Sequence, residues 1–114
     1  MESDKRPWGG YAVLFNGPDY KVKRIEVSPG KRFSLQKHFK RAETWVVVSG
    51  SGVATLGKKE ISVHRGSVIE VAKEETHRMQ CTSAEPLILI EVQFGDYLGE
   101  DDIVRFEDDF NRSK

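Results

Sequence analysis

The sequence contains a single cysteine, Cys81, so no disulfide can form within the chain, and this usage fits a reducing compartment. Its longest apolar runs, WVVV and PLILI, are far too short to span a bilayer. The 18 basic and 18 acidic residues cancel, so no overall charge attracts nucleic acid or an acidic membrane. The opening MESDKRPWGG lacks the apolar segment of a secretory signal. We therefore expect a cytoplasmic protein that binds neither nucleic acid nor membrane.

The composition is that of a folded globular protein, with 38% apolar and 32% charged residues. A chain of 114 residues is long enough for one hydrophobic core without cross-links. No linker, low-complexity segment or repeat divides it. We predict a single domain over residues 1–114, whose acidic C-terminal arm, about residues 95–114, holds a short helix or wraps irregularly.

Short β-branched or aromatic runs recur along the chain, divided by glycine, proline and small polar residues. Before the C-terminus, no window shows the apolar spacing of a helix. The runs predict roughly eight or nine strands with a turn about every eight to ten residues, which is typical of a β-sandwich or small barrel. In YKVKRIEV, the apolar pattern predicts Tyr20 and Val22 on one face and a change of phase at Lys23-Arg24. We therefore expect an all-β fold.

A polar cluster stands directly before an apolar run in SLQKHFKRAETWVVVSG, residues 34–50. Gln36 and His38 are two positions apart, so on a strand their side chains share a face. Glu43 joins that face only if the chain turns at FKRA between them. The cluster is either a polar turn before a strand or half of a metal site.

The other half of such a site has one candidate, His77, which shares a strand face with Met79 and Cys81 in HRMQC. A lone histidine on a strand is more often a satisfied or exposed residue than a ligand. His64 lies in the turn VHRG, and we expect it at the surface. The metal interpretation therefore depends on the spacing of the whole set.

That spacing resembles the cupin superfamily. Five residues follow its first motif: Gly30, Gln36, His38, Glu43 and Gly50. Gln36 stands where the commoner motif has a histidine. Gly66 and His77 fall in step with the second motif, whose usual proline, glycine and asparagine are replaced by Ala72, Glu74 and Cys81. The resemblance implies a cupin jelly-roll β-barrel, also called a double-stranded β-helix.

A narrower family is also indicated. The blocks RPWGGY, YKVKRIEVSPGKRFSLQ, RAETWVVVSG and LILIEVQFGDYLGEDDIVRFED look closely like the type II phosphomannose isomerase domain, over about residues 6–112. In that family the domain usually forms the C-terminal part of a bifunctional mannose-1-phosphate guanylyltransferase/mannose-6-phosphate isomerase. Nothing in the chain resembles the glycine-rich nucleotide-binding start of the guanylyltransferase half, so nucleotidyl transfer is not expected.

The resemblance implies a metal site and a reaction. Its ligands would be Gln36, His38, Glu43 and His77. Two imidazoles, one carboxylate and one amide oxygen suit a divalent ion such as Zn²⁺, Mn²⁺, Co²⁺, Fe²⁺ or Ni²⁺. The implied reaction interconverts mannose 6-phosphate and fructose 6-phosphate by proton transfer through an enediol, while the metal polarises the carbonyl. Arg41 is the candidate catalytic or phosphate-neutralising cation, unless it forms only a surface salt bridge.

Spacing does not identify the general base. The candidates for contacts around the metal and substrate are Lys23, Arg32, Lys40, Asp101, Asp102 and Arg105. Three positions that are commonly histidine in type II isomerases differ here, and we expect them to change the cavity wall: Phe39, Lys40 and Thr44.

Two other functions stay open. One is a metal-containing cupin that binds a sugar or other small ligand without turnover. The other is an Fe-dependent oxygenation, against which Gln36 argues because oxygenase cupins more often present three histidines and a glutamate. Because a small barrel exposes edge strands, we also expect a homodimer, with contacts through the RPWGGYAVLF strand and the C-terminal arm.

Overall fold

A computed structural model describes residues 3–110, which form eleven β-strands and no helix. The strands in chain order are β1 (Ser3–Arg6), β2 (Gly9–Asn16), β3 (Tyr20–Val27), β4 (Leu35–Lys37), β5 (Ala42–Ser49), β6 (Gly52–Leu56), β7 (Lys59–Val63), β8 (Val68–Val71), β9 (His77–Cys81), β10 (Leu87–Phe94) and β11 (Val104–Glu107). The prediction of an all-β fold is confirmed. Two strands beyond the predicted runs, β1 and β11, pair at the sheet edges.

Two antiparallel sheets make up the molecule. One has six strands in the order β1-β2-β3-β10-β5-β8, and the other has five in the order β11-β4-β9-β6-β7. Consecutive segments cross repeatedly between the sheets, so polar residues close in sequence reach the interior from opposite sides. The turn from β5 to β6 contains Gly50, whose φ is +76° and whose Cβ, if present, would lie 2.4 Å from the Pro86 carbonyl oxygen. Only glycine fits that turn.

The inner faces of β3, β10 and β5 share one pattern, because each is apolar at one end and polar at the other. The apolar ends carry Ile25 and Val27, Val47, and Leu87 and Leu89. The polar ends carry Lys21 and Lys23, Glu43, and Glu91 and Gln93. Since the three strands pair in register, the polar ends lie side by side. One half of the interior is therefore a hydrophobic core and the other half is a polar chamber.

The core is filled from both sheets. Trp45 of β5 and Met79 of β9 have no exposed surface, and the Phe33 ring meets Trp45 edge-on at 5.9 Å between centroids. Burying each large side chain contributes roughly 1.5–3 kcal/mol to folding. The core therefore joins the two sheets beside the polar half.

The predicted change of phase in β3 is wrong. The strand keeps its two-residue period throughout, so Lys21 and Lys23 face inward in line with Ile25, while Tyr20 faces outward and is exposed. Apolar alternation misleads here because the inward lysines have polar partners in the C-terminal segment, Glu100 and the Leu98 carbonyl.

Over residues 95–110 the C-terminal arm contains no helix, and it includes β11, which pairs with β4 at the edge of the five-stranded sheet; the rest of the arm lies outside the described residues. β1 lies at an edge of the six-stranded sheet. Of the two segments predicted to form dimer contacts, the C-terminal arm supplies an edge strand, whereas RPWGGYAVLF mostly forms β2, which lies between β1 and β3. Across residues 3–110 there is no helix of the length and hydrophobicity that would cross a bilayer.

Candidate metal centre and the cavity beside it

Three of the four predicted ligands meet in the polar chamber. His38, Glu43 and His77 are all buried, and one ligand atom from each lies within 4.8 Å of the others. Glu43 Oε2 is 3.4 Å from His38 Nε2, and Glu43 Oε1 is 3.9 Å from His77 Nε2. Glu43 comes from the six-stranded sheet, His77 from the five-stranded sheet and His38 from the turn between β4 and β5. This cluster can hold a metal ion.

Backbone carbonyls select the histidine tautomers. His38 Nδ1 donates to the Asp102 carbonyl at 2.6 Å, and His77 Nδ1 donates to the Glu75 carbonyl at 2.8 Å. Each ring therefore turns an unprotonated Nε2 toward Glu43, as in histidines that ligate metals. His77 Nε2 is buried and has no hydrogen-bond partner among the described residues. An orphaned buried acceptor of this kind is what a metal ion would satisfy, so the residues fit the implied ion.

The two imidazoles are held neutral. Burial, followed by the charges of Arg41 and His77, lowers the pKa of His38 to about 4. Burial is also the main cause that lowers the pKa of His77. Metal ligation requires neutral histidine, so these shifts keep both rings competent at neutral pH.

The fourth predicted ligand, Gln36, turns its amide nitrogen rather than its amide oxygen toward the cluster of His38, Glu43 and His77. It pairs with His77 in the ladder between β4 and β9. Its Nε2 is 3.5 Å from His38 Nε2, while its Oε1 accepts a hydrogen bond from the Ser34 hydroxyl at 2.7 Å. A half-turn of the amide would exchange the two atoms and present the oxygen as a ligand.

Arg41 is buried inside the site, so it does not form a surface salt bridge. Its Nε donates to Glu43 Oε2 at 2.7 Å, and its NH2 group donates to His38 Nε2 at 3.1 Å. Burial opposes the charge of this guanidinium, but the carboxylates of Glu43 and Glu91 outweigh it and raise the pKa of Arg41. Arg41 thus ties two candidate ligands together.

Another buried carboxyl group, that of Glu91, was not identified from the sequence. It accepts hydrogen bonds from Trp45 Nε1 at 3.2 Å and from Gln93 Nε2 at 2.7 Å. Burial, and then the nearby charge of Glu43, raise the pKa of Glu91 to about 7. Counting two residues at a time from Leu89 along β10 would have placed it inside the barrel.

A cavity of about 80 Å³ adjoins the cluster. Its polar lining consists of Arg6, Tyr11, Lys23, Gln36, His38, Arg41, Glu91, Glu100 and Arg105. Residues 95–103, which we call the strap, connect β10 to β11, and two of them, Glu100 and Ile103, line the cavity. The Asp102 carboxylate anchors the strap by accepting hydrogen bonds from the backbone N–H groups of Phe39 and Lys40, at 3.0 and 2.9 Å.

The remaining sequence candidates separate into two groups. Lys23 and Arg105 line the cavity, and Asp102 holds His38 through its backbone. Arg32 instead pairs with Asp109 away from the cavity. Two exposed candidates are not among the cavity-lining residues: Lys40 and Asp101. His64 is exposed, as expected.

The three departures from the family pattern lie outside the cavity lining. Phe39 is 44% exposed and Lys40 is exposed. Thr44 lies on β5 between the buried residues Glu43 and Trp45, so its side chain is on the outer face of the strand. None of them is among the residues that line the cavity, so the expected change in the cavity wall is not observed. The replaced glycine of the second motif has a structural consequence, because Glu74 adopts a φ of 64° in the loop before His77.

Comparison with known proteins agrees with this architecture. The family model described as mannose-6-phosphate isomerase C-terminal matches residues 2–108. The xanthan biosynthesis protein XanB of Xanthomonas campestris is 47% identical over 108 residues, covering 95% of this chain and 23% of that protein. A mannose-1-phosphate guanylyltransferase of Salmonella muenchen is 42% identical over 102 residues, covering 90% of this chain and 22% of that protein. The chain thus spans less than a quarter of the length of these relatives.

Solved structures show the same fold. The crystal structure of a cupin-2 domain protein from Rhodospirillum rubrum superposes with a TM-score of 0.70, at 22% identity, over 82% of this chain and 67% of that one. The predicted cupin fold is confirmed.

Proposed function

Because the chain belongs to the mannose-6-phosphate isomerase C-terminal family, we propose that it interconverts mannose 6-phosphate and fructose 6-phosphate with a bound divalent metal ion. The observation that carries the proposal is the buried triad of His38, Glu43 and His77 beside a cavity lined by cations. A sugar phosphate is an anion with a carbonyl group, and it needs both features.

The metal would be held by His38, Glu43 and His77, with Gln36 as a fourth ligand after its amide turns. Two imidazoles and a carboxylate suit Zn²⁺, Mn²⁺, Co²⁺, Fe²⁺ or Ni²⁺. When bound, such an ion supplies Lewis-acid polarisation of a carbonyl oxygen, which is worth several kcal/mol in the transition state.

The protein's own groups would handle the proton. Two carboxyl groups line the cavity, Glu91 and Glu100, and Glu100 is engaged with Lys23. Glu91 is oriented by Trp45, which also donates to the candidate ligand Glu43 at 2.9 Å. We assign to Glu91 the transfer of a proton between C2 and C1 of the substrate, a role that contributes typically 100- to 10,000-fold in rate. Arg41 would keep Glu43 and His38 in position and offset negative charge on the enediolate.

The strap would exclude water from the reacting carbons. It lines the cavity through Glu100 and Ile103 and is fixed through Asp102 to the turn that carries His38. While the abstracted proton is carried by Glu91, contact with water would exchange it with solvent, so a closed cavity favours its return to the sugar.

The test is a coupled assay for fructose 6-phosphate after chelation and re-addition of Mn²⁺, Co²⁺ or Zn²⁺. We expect activity only with metal. His77→Ala should abolish activity and lower the metal affinity by more than the roughly 10- to 100-fold loss that follows removal of a ligand's outer partner. His64→Ala, at the exposed histidine, is the matched control and should change neither.

Two outcomes would contradict the proposal. Turnover that survives both chelation and a Gln36/His77 double substitution would exclude the metal mechanism. Metal binding without turnover of mannose 6-phosphate would instead favour a cupin that binds a sugar or small ligand without catalysis.

A further inference from the structure

Two lysines face the interior of the barrel. Lys21 and Lys23 are only 7% and 3% exposed, although lysine is almost never buried unless it is paired. Lys23 Nζ is 2.5 Å from Glu100 Oε2 and lies 4.0 Å from the centroid of the Tyr11 ring. Lys21 Nζ is 3.7 Å from the same Glu100 oxygen and donates to the Leu98 carbonyl at 3.1 Å. Both ammonium groups therefore converge on one carboxylate.

That carboxylate belongs to the strap rather than to the barrel. The Glu100 side chain is 40% exposed, so unlike the lysines it can leave its position without opening the core. Burial alone would raise the pKa of Glu100, but the charges of Lys23, Arg41 and Lys21 outweigh it and lower the pKa. Arg6 also interacts electrostatically with Glu100 and lines the same cavity. Glu100 is thus an internal anion among several cations.

The cavity is too small for a substrate while Glu100 occupies it. Its volume of about 80 Å³ holds a few water molecules, whereas pockets for small-molecule ligands measure roughly 300–1,000 Å³. Its lining includes two acidic side chains, Glu91 and Glu100. The four cationic side chains that line it are Arg6, Lys23, Arg41 and Arg105. Removing Glu100 would enlarge the cavity and leave a larger excess of positive charge.

We propose that Lys21, Lys23 and Arg6 form the subsite for the substrate's phosphate group, and that Glu100 occupies this subsite until the phosphate displaces it. The inference rests on the proposed function for the identity of the ligand. A phosphate dianion offers three acceptor oxygens where the carboxylate offers two, so it satisfies two ammonium groups and a guanidinium together. The candidate ligands His38 and Gln36 line the same cavity. In an open-chain hexose 6-phosphate, the phosphate and the reacting carbonyl lie at opposite ends of the carbon chain, so the phosphate would meet the lysines while the carbonyl meets the candidate ligands.

Calorimetric titration with inorganic phosphate tests the subsite on the full, chelated chain, without turnover. Glu100→Gln removes the competing anion and should tighten phosphate binding roughly 10-fold. Lys23→Met keeps the apolar stem, removes the donor and should weaken binding roughly 10- to 100-fold. The matched controls are Glu26→Gln and Arg24→Met, an ion pair on the partly exposed opposite face of β3, and each should stay within about twofold of the unchanged protein.

The results separate this inference from the proposed function. Unchanged phosphate affinity in Glu100→Gln would overturn the subsite, and this variant lies in the strap, so the result does not depend on whether Lys23→Met folds. An active isomerase whose KM for mannose 6-phosphate is unchanged by Lys23→Met would also overturn it. Phosphate binding that shifts as expected in a protein without isomerase activity would support the subsite and refute only the reaction.

Discussion

Replacing Glu91 by glutamine is expected to change how the stability of the metal-free protein depends on pH. The carboxyl group is buried, and its pKa is raised from 4.5 to about 7 in the folded chain. Between these two pH values the folded protein holds a proton that the unfolded chain releases. The stabilising contribution of Glu91 is therefore complete below pH 4.5 and is lost as the pH rises through 7.

The size of the effect follows from the two pKa values. The difference between 4.5 and 7, at about 1.4 kcal/mol per pKa unit, gives about 3 kcal/mol. Glutamine does not titrate, so the free energy of unfolding of the unchanged protein, relative to Glu91→Gln, should fall by about that amount between pH 4 and pH 8. Total stabilities of small domains are about 5–15 kcal/mol, so the change is large enough to measure.

The assay is urea unfolding of both proteins at a series of pH values in the presence of a chelator. His38 has the opposite sign, since its pKa is lowered from 6.5 to about 4 and its contribution is lost as the pH falls between those values. Both proteins contain His38, so its contribution largely cancels in the difference. Glu60→Gln, on the exposed side of β7, is the control for removing a carboxylate. A difference that stays constant, or that rises with pH, would refute the argument that Glu91 is protonated when buried.

Three further expectations concern stability and assembly. Glu74→Gly should stabilise the protein by up to about 1 kcal/mol, because Glu74 has a φ of 64° that glycine adopts without strain. Gly66→Ala should destabilise it, because Gly66 has a φ of 93° that alanine does not adopt without strain, and chemical denaturation measures both changes. Leu89→Ala should cost about 2–5 kcal/mol because Leu89 has no exposed surface, and a loss below about 1 kcal/mol would contradict the core described above. We expect a homodimer by size-exclusion chromatography with light scattering, weakened by Leu14→Lys because Leu14 is 45% exposed in a segment predicted to make the contact; a monomer at micromolar concentration would count against it.

The buried end of each strand was easier to predict than the polar end. The apolar positions of β5 and β10 follow the two-residue period that burial on one face requires, so their inward residues could be read directly from the sequence. At Lys21 and Lys23 the same rule failed, because it treats a charged residue as outward-facing. Their partners Glu100 and Leu98 are 77 positions away along the chain, and no local pattern connects them.

Local chemistry in the sequence determined the all-β fold, the polar group before the Trp45 strand and the family, since turn residues and two-residue periodicity act over a few positions. The tertiary structure alone decided which side chains meet. It brought His77 beside Gln36, turned the amide nitrogen of Gln36 toward His38, and enclosed Glu91 among Trp45 and Gln93. These outcomes depend on strand register and on the path of the strap, which are set by packing between distant segments.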